Sequence, residues 1–278
     1  MRRVIFNQKG GVGKTTITCN LAAVSAASGK RTLVLDLDPQ GNSTQYLLGE
    51  EADSLELTGA DFFEEMLSVW PRHELTDCLH VTRFEGLDVL PSHPGLGELQ
   101  DRLESRYKMF KLREAIAAVD SEYNEIFIDT PPAMGFYTRS ALIAADSCLI
   151  PFDCDDFSRR ALYGLLESVR ELQQDHNPKL KVEGIVVNQF QARAKLPEKL
   201  VLELVDEGLP ILQPYVSASV KIRESHERAT PMVHFMPSHK ITTQFQQLYA
   251  AIQPVKARKK PARRRVARAT AVSVAAST

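Results

Sequence analysis

The segment Gln8-Lys9-Gly10-Gly11-Val12-Gly13-Lys14-Thr15-Thr16 constrains the fold of this chain more than any other stretch. It follows an apolar run at residues 3–6 and opens a segment whose Ile17, Leu21 and Val24 share one helical stripe, with Gly29 as a natural stop. Glycines at a strand-to-helix turn let backbone N–H groups approach a bound anion, and the positive end of the helix dipole adds to the attraction. A lysine at the helix start supplies a charge for outer phosphates, and the hydroxyl after it can face a magnesium ion. Gly10, Gly11, Val12, Gly13, Lys14, Thr15 and Thr16 are therefore the candidate phosphate-binding residues, with Thr15 also a candidate metal contact.

Apolar runs recur at residues 32–36, 87–90, 125–129, 148–152, 184–188 and 210–212. Several are apolar at consecutive positions, as strands covered on both faces require. Between them lie helix-length segments, among them residues 61–69, 158–174 and 240–252. Such alternation predicts an α/β fold, a mostly parallel sheet flanked by helices on both faces.

The near-zero net charge of −1 conceals a division. Residues 255–278 hold eight basic side chains and no acidic one, leaving 26 basic against 35 acidic residues in the preceding part. With Pro254 and Pro261 and little apolar content, this segment cannot offset its ordering entropy, so residues 1–254 are expected to fold and 255–278 to form a disordered cationic arm. Four scattered cysteines, Cys19, Cys78, Cys148 and Cys154, fit buried thiols in a reducing cytoplasm. No run of about 18 apolar residues and no leader-like start occur, so neither a membrane span nor secretion is expected.

Asp36 and Asp38 stand at alternate positions where a strand ends, which would place both on one face. Either can hold magnesium-bound water or orient an attacking one, while capping or turn formation before Pro39 remains open for Asp36. Asp129 closes a second apolar strand ahead of Thr130-Pro131-Pro132, a placement suited to a carboxylate that reaches magnesium through water. Asn188 ends a third strand and offers both donor and acceptor, which suits an adenine edge.

Lys9-Gly-Gly-Val-Gly-Lys-Thr-Thr16, Leu33-Val-Leu-Asp-Leu-Asp-Pro-Gln-Gly-Asn-Ser-Thr44 and Asp129-Thr-Pro-Pro-x-x-Gly135 together resemble the deviant Walker A ATPases of the ParA/MinD family, closest to ParA-like (Soj-like) partitioning proteins. The likeness runs over residues 1–253. It implies that Lys9 crosses a homodimer to the partner's nucleotide, that Lys9, Lys14 and Asp38 serve catalysis, and that Asp36 and Asp129 help hold Mg²⁺. Asn188 and Pro214 fall where the family contacts adenine, and Arg193, Lys195, Lys221 and Arg223 fall in its basic, DNA-contacting regions. The implied cycle is ATP-dependent closure of the dimer, non-specific binding to nucleoid DNA, and release on slow hydrolysis stimulated by a ParB-like cargo adaptor. Lys259, Lys260, Arg263, Arg264 and Arg265 of the arm suit the same polyanion. The alternative is a MinD-like or other spatial regulator whose ATP state controls association with a protein or membrane surface. The arm lacks the bulky apolar residues of a lipid-entering helix.

Overall fold

A computed structural model describes residues 1–154, 158–191 and 195–254. Its centre is one eight-stranded sheet made of β1 (Arg2–Ile5), β2 (Thr32–Asp36), β3 (His80–Val81), β4 (Leu87–Leu90), β5 (Glu125–Asp129), β6 (Ser147–Asp153), β7 (Lys181–Asn188) and β8 (Ile211–Leu212). The order is β3-β4-β2-β5-β1-β6-β7-β8, parallel throughout except for β3, which runs antiparallel to β4 at the edge. All seven predicted strands form; β3 is the addition.

Among the described residues, eleven α-helices cover the sheet: α1 (Lys14–Ala27), α2 (Asn42–Leu48), α3 (Gly59–Glu65), α4 (Leu96–Ser105), α5 (Lys111–Val119), α6 (Phe136–Ala144), α7 (Ser158–Asp175), α8 (Lys195–Asp206), α9 (Val220–Glu227), α10 (Met232–Phe235) and α11 (Lys240–Ala251). Alternation along the strands divides the core. Val4, Leu33, Leu35, Ile126 and Ile128 pack with α3 to α8, whereas Ile5, Val34 and Phe127 pack with α1, α2, α10 and α11. Helix α1 carries more than the single apolar stripe read from sequence. Residues 17 to 26 are buried all round, because α2, α10 and α11 cover the side turned away from the sheet. Three of the cysteines are buried, and Cys154 is half-buried.

A charged cluster ties the C-terminal helix to the end of the sheet remote from the glycine loop. Arg3 is fully buried, paired with Glu183 at 2.8 Å and Glu125 at 3.2 Å, and it donates to the carbonyl of Ile252 at 2.8 Å. Glu125 also receives Lys30, Ser25 and Tyr249. Burial alone would raise the Glu125 carboxyl, but these partners outweigh it and bring it from 4.5 down to about 2. The unfolded chain binds this proton more readily, so the stabilisation is complete above pH 4.5 and lost as pH falls toward 2. Glu125→Gln is expected to cost about 3 kcal/mol at neutral pH, lowering the thermal midpoint by about 6–12 °C. Denaturant titrations should show that gap closing in acid.

Candidate functional site

Parallel strands deliver the glycine loop, Asp36, Asp129 and Asn188 to one edge. Ile5, Asp36 and Asp129 lie abreast at the C-terminal ends of β1, β2 and β5, and Asp153 of β6 lies opposite Asn188 of β7. The glycine loop leaves β1 at this edge and enters α1. Gly11 and Gly13 have φ of +76° and +90°, a region side chains rarely adopt. A Cβ on Gly13 would stand 2.1 Å from Asn188 Nδ2, which donates to the carbonyl of Val12 at 2.8 Å. Gln189 Nε2 likewise donates to the carbonyl of Gly11 at 2.8 Å, so the end of β7 and the residue after it brace the loop. Gly13→Ala is expected to weaken nucleotide binding roughly tenfold, since a strained φ and a displaced Asn188 both deform the loop. Calorimetric titration with ADP would measure it.

The loop borders a cleft of about 880 Å³, within the usual range for small-molecule sites. Gly10, Gly11, Gly13, Lys14, Thr15 and Thr16 line it, with Asp38, Gln40, Asn42 and Pro132 on one side and Asn188, Ser219 and His226 among the residues of the other. Lys14 is buried, its Nζ donating to the carbonyl of Lys9 at 3.3 Å. Burial pulls its pKa down against the opposing pull of Asp129 and Asp38. Asp129 accepts Thr15 Oγ1 and Ser43 Oγ, both at 2.7 Å. A carboxylate and a hydroxyl beside a phosphate loop are the hard oxygen donors that magnesium takes, so Thr15 and Asp129 fit that ion. Bound there, it would neutralise charge on the phosphate oxygens.

Asp36 and Asp38 do not share a face toward the cleft as the alternation predicts. β2 ends at Asp36, and Asp38 sits in the turn beyond it, its N–H donating to Asp36 Oδ1 at 3.2 Å. Asp36 is fully buried and accepts the N–H and Oγ1 of Thr44, each at 2.8 Å, so its carboxylate braces the loop that leads into α2. Burial raises the carboxyls of Asp36 and Asp129, and the charge of Asp129 pushes Asp36 further. Asp38, in contrast, lines the cleft. Its carbonyl accepts Ser92 Oγ at 2.5 Å and its Oδ1 accepts the N–H of Gln40 at 3.1 Å.

Lys9 does not line the cleft. Its Nζ is paired with Asp153 at 2.7 Å, and its N–H donates to Asn7 Oδ1 at 2.9 Å. Asn188 does line it, with Oδ1 buried and without a hydrogen-bond partner among the described residues, open to a donor such as an amino group. Pro214 is half-buried and is not among the lining residues. Arg223 is at the cleft, while Lys221 pairs with Glu224 at 2.7 Å on the same helix. Arg193, the side chain of Lys195, and Lys259, Lys260, Arg263, Arg264 and Arg265 lie outside the described residues.

Ser43, Thr44, Ser92, Asp153 and His226 belong to the site without having been singled out from sequence. Ser43 and Thr44 follow Asn42 inside a motif already noted, and their hydroxyls were the available signal. Asp153 and His226 had none, since the partners they meet are 144 and 210 residues away.

The family described as AAA domain matches residues 3–182. The chromosome partitioning protein ParA of Myxococcus xanthus is 41% identical over 201 residues, which cover 72% of this chain and 69% of that protein. The sporulation initiation inhibitor protein Soj of Bacillus subtilis is 34% identical over 235 residues, 84% of this chain and 90% of its own length. Cobyrinic acid a,c-diamide synthase from Mycobacterium smegmatis, a structure with bound ATP analogue and magnesium, superposes with a TM-score of 0.77 at 25% identity, covering 90% of this chain and 92% of that one. No described helix is long and apolar enough to cross a membrane. With a braced phosphate loop, buried carboxylates at the same sheet edge and relatives that span most of its length, the chain belongs to the ParA/MinD family of P-loop ATPases.

Proposed function

We propose that this protein is an ATP-driven partitioning switch: two subunits close around two nucleotides bound with Mg²⁺, the closed dimer holds DNA without sequence preference, and hydrolysis releases it. The observation that carries this reading is the position of Lys9. It belongs to the phosphate loop, yet it stands outside its own cleft on Asp153, where an exchange of partners can bring it to a nucleotide in a second subunit. Lys14 and the loop N–H groups hold the phosphates, Thr15 and Asp129 hold the metal, and Asp38 orients the attacking water. The chain's likeness to a chromosome partitioning protein supports chromosome partitioning as the use; in this proposal nucleoid DNA is the track and a ParB-like adaptor stimulates turnover.

Retention on DNA measured with ATP, with ADP and without nucleotide, across a salt series, tests the switch. Strong retention with ATP alone is expected, falling steeply with salt as phosphate contacts are lost. Equal retention in all three states would refute it. The folded unit of residues 1–254 should keep the nucleotide dependence when residues 255–278 are deleted, with weaker binding and a shallower salt slope. An unchanged slope would remove the arm from the DNA contact.

A further inference from the structure

His226 occupies a place in the cleft that the reading above leaves without a task. It comes from α9, which the chain reaches only after completing the sheet, and its ring reaches Thr16 at the start of α1. Its ring lies parallel to that of Tyr46 from α2, with centroids 3.8 Å apart and planes inclined by 13°. Its Nε2 stands 3.1 Å from Thr16 Oγ1. The arrangement is built: Tyr46 is itself buried and held through its hydroxyl by Asn20 at 3.1 Å and Ser225 at 2.8 Å. Asn20 in turn donates to the carbonyl of Thr16 at 2.9 Å, which closes a ring of contacts around the imidazole.

The two threonines of the loop face different ways. Successive residues of a helix point about 100° apart, and the Thr15 hydroxyl turns to Asp129 while that of Thr16 turns to His226. Thr15 marks the metal and the outer phosphates. Thr16, one residue further into α1, also lines the cleft but is turned away from Asp129, which leaves its hydroxyl for the phosphate nearest the nucleoside. Whether its hydroxyl can donate to that phosphate depends on the imidazole. If Nε2 accepts, the hydroxyl proton is committed to the ring; if Nε2 carries a proton, Thr16 Oγ1 accepts from it and its own proton is free for the anion.

We propose that His226 is a positioning residue for the nucleotide, turning the Thr16 hydroxyl toward the inner phosphate and taking up a proton as that phosphate enters. This rests on the cleft being the nucleotide site. The empty cleft favours the neutral ring, because burial holds the imidazole below its ordinary pKa. An incoming phosphate reverses the preference by placing negative charge beside Thr16. Among the described residues, the ionisable groups that share the cleft are Lys14, Asp38 and Arg223. Tyr46 lies on the ring face, and Glu224, Glu227 and Arg228 share its helix. Those residues remain in a variant at position 226, so the difference from wild type isolates the imidazole.

The test is calorimetric titration of the full chain with ADP in EDTA, between pH 5.5 and 8, for wild type, His226→Gln and His226→Ala. Glutamine can donate to Thr16 but cannot take a proton. At pH 8 we expect His226→Gln to stay within about threefold of wild type and His226→Ala to bind roughly tenfold more weakly. Below pH 7 wild type should gain affinity relative to His226→Gln, with proton uptake visible as a heat that changes with buffer. Wild type that binds no ADP would contradict the nucleotide cleft itself. Wild type that binds ADP with the same pH dependence as His226→Gln, or His226→Ala that binds as well as wild type, would overturn the role of His226. Should His226→Ala not fold, the pH comparison with His226→Gln decides alone.

Discussion

Lys14→Ala is expected to leave no measurable ATP binding at concentrations that saturate the wild-type protein. Its ammonium is buried at the head of α1, between the carbonyl of Lys9 and the carboxylate side of the cleft, so an alanine leaves the outer phosphates facing Asp129 and Asp38 without the countercharge. A desolvated charge-assisted contact is worth several-fold more than an exposed one, and losing it here should cost roughly 100-fold or more in affinity. The loop would survive the change, because Asn188 and Gln189 brace it through the carbonyls of Val12 and Gly11. Circular dichroism and the thermal midpoint should therefore stay near wild type while ATP titrations go flat. A variant that binds ATP within a few-fold of wild type would show that the backbone donors and helix dipole hold the triphosphate by themselves.

Asp38→Ala should have the opposite signature, with ATP retained and turnover lost. The carboxylate lines the cleft, and its Oδ1 accepts the N–H of Gln40. Removing that hydrogen bond costs about 1 kcal/mol, while the Ser92 contact to the Asp38 carbonyl keeps the turn in place. A group that orients or deprotonates the attacking water contributes on the order of 100- to 10,000-fold, so single-turnover hydrolysis should fall by that range. In the proposed cycle this variant remains on DNA with ATP bound. Fast hydrolysis by the Asp38→Ala protein would assign the water to another residue.

The sheet was legible because its strands carry their signal locally. The consecutive apolar residues of β2, β5 and β6 announce strands covered on both faces, and the motifs at their ends locate the site at one sheet edge. Edge strand β3 was not legible, since two residues, His80 and Val81, carry no periodicity and pair only because β4 lies alongside. The stripe of Ile17, Leu21 and Val24 understated α1, whose outer face is covered by helices from the far end of the chain. Asp36 shows the limit most clearly. Alternation put it beside Asp38, but the strand stops at Asp36, and the turn that follows draws its carboxylate inward to Thr44. Side chains whose partners come from another strand or helix, such as Asp153 for Lys9 and His226 for Thr16, become visible only once β1 lies against β6 and α9 against α1.

The paired-subunit switch turns on Lys9, which here pairs with Asp153 of its own chain at 2.7 Å. A crystal structure grown with a non-hydrolysable ATP analogue and magnesium tests it most directly. The account predicts two subunits facing each other across two nucleotides, with Lys9 Nζ released from Asp153 and within about 3 Å of a phosphate oxygen held by the partner. A lone subunit with nucleotide bound and Lys9 still on Asp153 would contradict it.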